Sequence, residues 1–71
     1  MFLLCKIYDE YEKTCRKMLL PVKDIKNIFE FLEDDNLSDI VKTVIRFYDG
    51  TSIYCCDKIE ELDSRLKSQK E

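Results

Sequence analysis

Four cysteines, Cys5, Cys15, Cys55 and Cys56, are the side chains with the readiest chemistry in this sequence, and there is no histidine to accompany them. A thiolate can ligate a metal, exchange disulfides or attack an electrophile, but each use demands a particular neighbour. Without histidine there is no ordinary Ser-His or Cys-His pair to activate a nucleophile, and a single glycine, Gly50, excludes a glycine-rich phosphate cradle. An all-thiolate tetrahedral site using all four sulfurs is arithmetically available. Zinc ligands, however, usually come from short knuckles in which two cysteines lie a few residues apart, and the chain has none. A cysteine-based metal-binding protein is therefore kept as an alternative, and no cofactor is expected. Cys5 and Cys15 could meet across a first hairpin, but disulfides are rare in cytosolic proteins, so reduced, apolar cysteines are the expectation.

The second group with chemical potential is acidic. Glu30, Glu33, Asp34, Asp35 and Asp39 fall within ten residues that contain no base. Paired carboxylates can run acid-base chemistry where a cleft shifts their pKa values, but nothing in a 71-residue chain suggests such a cleft, so the protein is not expected to be an enzyme. A solvated acidic loop is the plain reading of this stretch; a contact for a basic partner is the sharper one. The net charge of −3 argues against direct nucleic-acid binding, whose affinity rests on clustered Lys and Arg.

These residues must be positioned by few elements. With 45% apolar residues, one Gly and one Pro, the chain should fold, and its length makes residues 1–71 a single domain. A core of this size is marginal, so a homodimer or another partner would supply stability. The opening "MFLLC" is too short before Lys6 for a signal peptide or a membrane span, and a cytoplasmic location is expected.

Residues 2–8 and 14–20 are apolar-rich runs separated by the polar "DEYEK", which predicts an antiparallel hairpin with a loop of about five residues. In "DIKNIFEFLED", Ile25, Ile28, Phe29 and Leu32 follow the i, i+3, i+4, i+7 stripe, and Asp24 is a suitable N-cap, so the spacing predicts a short helix over 24–34. Phe31 breaks that stripe, and a strand reading places Phe29 and Phe31 together instead.

From Val41 the period becomes two: Val41, Thr43, Ile45 and Phe47 share one face, and Lys42, Val44, Arg46 and Tyr48 the other. Asp49-Gly50 marks a turn. A three-residue loop with Gly50 left-handed pairs Ile45 with Ile53 and turns Cys55 inward, whereas a two-residue loop would bury Tyr54 and Cys56. In either register Cys55 and Cys56 point to opposite faces and cannot easily share a metal ion. Asp57 and Glu60 resemble a capping box, opening a helix at 57–68 whose stripe is Ile59, Leu62 and Leu66. The hairpin's outward face mixes Val44, Arg46, Tyr48 and Tyr54, the composition of a protein interface, unless a helix covers it.

The stretch from Ile25 to Leu66 resembles the small FlbD-like flagellar and swarming-motility proteins, in the Thr43-Val44-Ile45 strand, Phe47, Gly50 and the Ile59/Leu62 helix. It departs from them by a longer insertion around Asp34 to Ile40. The resemblance implies a non-catalytic accessory of the flagellar motor. By form, the chain also looks like the small acidic inhibitors and adaptors carried by phages and mobile elements of bacteria, which occlude a basic groove of a nucleic-acid-binding host protein.

The expectation is thus an α+β domain with two antiparallel hairpins, a middle helix and a C-terminal helix. Its expected work is non-enzymatic protein binding, as an adaptor or inhibitor on a basic surface, through Glu33, Asp34, Asp35, Asp39, Arg46 and Tyr48. A flagellar accessory and a metal-binding protein are the alternatives.

Overall fold

The structure, a computed structural model, describes residues 1–32 and 36–69. Strand β1, Phe2–Asp9, alternates as its pattern requires: Leu3, Cys5 and Ile7 are buried while Phe2, Leu4 and Lys6 are exposed. Strand β2, Thr14–Pro21, pairs with it antiparallel, setting Leu3 opposite Leu20 and Leu4 opposite Leu19. The turn between them is built by Asp9, whose Oδ1 accepts the N–H groups of Tyr11 (2.9 Å) and Glu12 (3.3 Å). With no glycine available, Lys13 takes the left-handed conformation (φ 56°), a choice that costs about 1 kcal/mol for a side chain bearing a Cβ.

Pro21 ends β2, and a 3-10 turn at Val22–Asp24 leads into a third strand, β3, Ile25–Glu30. This corrects the expected helix over 24–34. The i, i+3 spacing of Ile25 and Ile28 is real, but a bulge accommodates it. Ile25 faces Phe47 and Asn27 faces Arg46, so Lys26 is an extra residue without a partner. One inserted residue restores the parity, and Ile25 and Ile28 both pack against the core. Asp24 does not cap a helix; its carbonyl accepts the Tyr48 N–H at 3.1 Å.

Strand β4, Thr43–Phe47, lies between β3 and β5, Ser52–Cys55. Ile45 stands opposite Ile53, as in the three-residue-loop register, with Gly50 at φ 93° and the Phe47 N–H donating to the Thr51 carbonyl. Asp49 holds the turn by accepting the Thr51 N–H and hydroxyl, which lowers its carboxyl pKa. The two expected hairpins do not stand apart. Strand β5 pairs with β1 at Ile7 and Cys55, giving one five-stranded antiparallel sheet in the order β2-β1-β5-β4-β3.

The single α-helix among the described residues, α1, Ile59–Ser68, packs on one face of this sheet. Its Leu62 joins Leu3, Cys5, Ile7, Leu20, Ile45 and Cys55 in the core. The expected capping box does not form: Lys58 is the N-cap, with no side-chain bond, and Asp57 turns inward. The reason lies in strand lengths. Four-residue β5 leaves the first half of eight-residue β1 without a neighbour on that edge, and side chains take its place. The Lys6 N–H donates to Asp57 Oδ2 (2.8 Å), Arg65 Nη1 donates to the Leu4 carbonyl (2.8 Å), and Gln69 donates to the Phe2 carbonyl. No helix among the described residues is long and apolar enough to cross a membrane.

Candidate interaction surfaces

Among the described residues, the buried polar side chains are Thr43 and Asp57. Asp57, 5% exposed, receives Arg65 Nη1 at 3.0 Å as well as the Lys6 N–H, and its carbonyl accepts the Thr43 hydroxyl at 3.1 Å. The bond to Asp57 raises the pKa of the Arg65 guanidinium. No buried side-chain N or O among the described residues lacks a partner.

The cysteines divide into two pairs. Cys55 points inward and is fully buried beside Cys5. The bond between these two thiols, with burial adding to it, pushes Cys5 far up; the same bond holds Cys55 down to about 7 against the opposing effect of its burial. Cys15 and Cys56 point the other way and form a disulfide, which corrects the expectation of four reduced cysteines. Cys5 stands opposite Met18, not beside Cys15. The sheet order explains the pairing, because β2 and the end of β5 flank the same strand, β1. Among the described residues, no cluster of three or more His, Cys, Asp or Glu is placed to hold a metal ion.

Two apolar surfaces remain. One is an open groove of about 530 Å³ between α1 and β3, floored by Val22, Ile25, Ile28, Ile59, Leu62 and Leu66. Those side chains belong to the edge of the core, and the groove is the gap left by a short helix over a wide sheet. The other surface is the face of the sheet opposite α1. The outward hairpin face expected to be interfacial belongs to it, and α1 does not cover it.

On that face Leu4 pairs with Leu19 and Phe2 with Pro21 across β1 and β2, with Phe2 56% and Leu19 63% exposed. At the other end Phe29, Val44 and Tyr54 lie side by side across β3, β4 and β5. Phe31 meets Tyr54 edge-on with ring centroids 5.5 Å apart, and the Arg46 guanidinium lies 5.4 Å over the Phe29 ring. A shallow concavity of about 520 Å³ runs between these aromatic side chains.

Among the described residues, those singled out from the sequence do not converge. Glu33, Asp34 and Asp35 lie outside the described residues. Asp39 is exposed in a 3-10 turn, Asn36–Asp39, before β4. Arg46 is on the open face, and Tyr48, 70% exposed, is in the turn beyond the strand. Asp39 and Tyr48 thus flank opposite ends of β4, whose residues alone span about 15 Å. What residue types alone missed is the apolar row of Phe2, Leu4 and Leu19. Its signal was present: "FLL" puts large apolar side chains on both faces of β1, the pattern of strands that are buried on both sides. No family model, curated protein or solved structure matches the chain, so the comparisons add nothing to the FlbD-like resemblance.

Proposed function

We propose that this chain is a non-enzymatic protein-binding module whose contact is the sheet face opposite α1. The observation that carries the reading is the set of half-exposed large apolar side chains on that face, Phe2, Leu4 and Leu19 at one end and Phe29 at the other, placed on hydrogen-bonded strands rather than loops. The Phe2, Leu4 and Leu19 cluster is contiguous, and such surface on a small domain marks an interaction site that a rigid sheet presents at low ordering cost. Arg46 and Tyr54 add the guanidinium and aromatic groups that dominate protein interfaces. The absence of histidine and the satisfied state of the buried polar groups fit a protein that acts by contact.

The test is site-specific photocrosslinking in the cell that makes the protein. A photoreactive residue at Leu19 or Phe29 should trap the same partner, while one at Asp63 on α1 should not. Crosslinks formed only from Asp63 or Asp39 would remove the open face as the contact. Charge reversal at Asp34 and Asp35 separates the reading in which the acidic stretch grips a basic surface: binding lost there, with the face variants unaffected, would favour that stretch instead.

A further inference from the structure

The open face carries a charge pattern opposite to that of the whole protein. By register, its strand positions are Phe2, Leu4, Lys6 and Tyr8 on β1, with Cys15, Lys17 and Leu19 opposite them. Ser52 and Tyr54 of β5, Val44 and Arg46 of β4, and Asn27 and Phe29 of β3 complete it. The charged residues at these strand positions are Lys6, Lys17 and Arg46, although the chain as a whole carries −3; the nearest acids, Glu10 and Glu30, line hollows at the rim beside Tyr8 and Phe29.

Lys6 and Lys17 are direct cross-strand partners, and among the described residues neither has an ion pair. Like charges directly opposite one another on a sheet destabilise it. A lone lysine on an apolar face would be unremarkable; two in register, with Leu4 and Leu19 as the neighbouring same-face pair, make an unneutralised site inside an apolar row.

Resting on the protein-binding reading above, we infer that the occupant of this face is a protein segment in which carboxylates alternate with apolar side chains, its acids answering Lys6, Lys17 and Arg46. The chemistry favours this over other occupants. A second copy stacked face to face would set three cations against three, with only the rim carboxylates Glu10 and Glu30 to meet them. A single-stranded nucleic acid would find rings to stack on at Phe2, Tyr8, Phe29 and Tyr54, but only three cations to meet its phosphates, on a chain of net charge −3. Aliphatic rows flanking paired cations match an amphipathic acidic segment.

The test uses the full oxidised chain and three fluorescent probes: a peptide of alternating Leu and Asp, its Leu and Lys counterpart, and a short oligothymidine. The Leu-Asp peptide should shift the amide resonances of Leu4, Lys6, Lys17 and Leu19, and its affinity should fall by about tenfold between low and high salt. The decisive variant is Lys17→Glu. It replaces a repulsive pair by an attractive one, so its melting temperature should rise while its affinity for the Leu-Asp peptide drops by about tenfold. Misfolding cannot imitate that combination. Equal or tighter binding of the Leu-Lys peptide or the oligothymidine, or of the Leu-Asp peptide to Lys17→Glu, would overturn the inference, as would sedimentation showing a dimer whose formation abolishes probe binding. The two readings fail separately: a Leu19 crosslink to a basic partner segment removes the acidic occupant and leaves the docking face, whereas no crosslink from Leu19 or Phe29 removes the face itself.

Discussion

At the scale of single residues, Lys13 and Asp57 show how local chemistry is overruled for the sake of the sheet. Lys13 sits at φ 56° because the turn after Asp9 needs a left-handed residue and the sequence offers no glycine there. Lys13→Gly should therefore stabilise the protein by about 0.5–1 kcal/mol, read from chemical denaturation, and a loss of stability would show that the strain is compensated elsewhere. Asp57 is the better test of packing. Its sequence position suggests a helix cap, but its carboxylate is 5% exposed and holds the Lys6 N–H and Arg65. Asp57→Ala leaves a backbone donor and a guanidinium without their acceptor, so it should cost about 2–3 kcal/mol. Arg65→Met keeps the stem packing but leaves the buried Asp57 carboxylate without its cation, so it should cost at least as much, about 2–3 kcal/mol. A loss below about 1 kcal/mol would show that the Lys6 N–H alone sustains the Asp57 charge.

At the scale of elements, the instructive case is β3. A stripe at i, i+3, i+4 and i+7 is the usual mark of a helix, and Ile25, Ile28, Phe29 and Leu32 carry it. The segment is a strand because β4 has a free edge to satisfy and because one bulged residue, Lys26, brings Ile25 and Ile28 to the same face. Deleting Lys26 should send Ile25 to the outer face and destabilise the protein by about 2–3 kcal/mol, whereas Lys26→Ala should stay within about 0.5 kcal/mol. Similar effects from the two changes would remove the bulge as the cause. The β4–β5 turn, by contrast, was legible, since Asp49-Gly50 and the alternation of Val41 to Phe47 leave one register that gathers the aliphatic side chains. Helix α1 was legible in its stripe but not in its start, because its cap depends on where Asp57 finds partners in a strand 51 residues earlier.

At the scale of the whole molecule, stability rests on a small core and on one covalent tie. Cys15 and Cys56 are 41 residues apart, and closing a loop of that length is worth about 4 kcal/mol in the chain-entropy account, a large share for a domain of this size. Reduction should lower the melting temperature by more than 10 °C; native oxidised protein should resist alkylation, and denatured oxidised protein should accept two labels, at Cys5 and Cys55. An unchanged melting temperature after reduction would show that the core alone sustains the fold. Because cytoplasmic thiols are kept reduced, a Cys15–Cys56 bond found intact in protein whose free thiols are blocked before the native cell is lysed would count against the expected cytoplasmic location. Composition and periodicity by themselves determined a single domain, strands where residues alternate, an amphipathic helix at the end, and opposite faces for Cys55 and Cys56. Those follow from the near neighbours of each residue. Only the tertiary structure decided that Cys15 meets Cys56, that Asp57 is buried, and that Lys6 and Lys17 stand side by side on an open apolar face. Each of those depends on which strands become neighbours, and that order is set by the summed burial of the sheet, not by any local spacing along the chain.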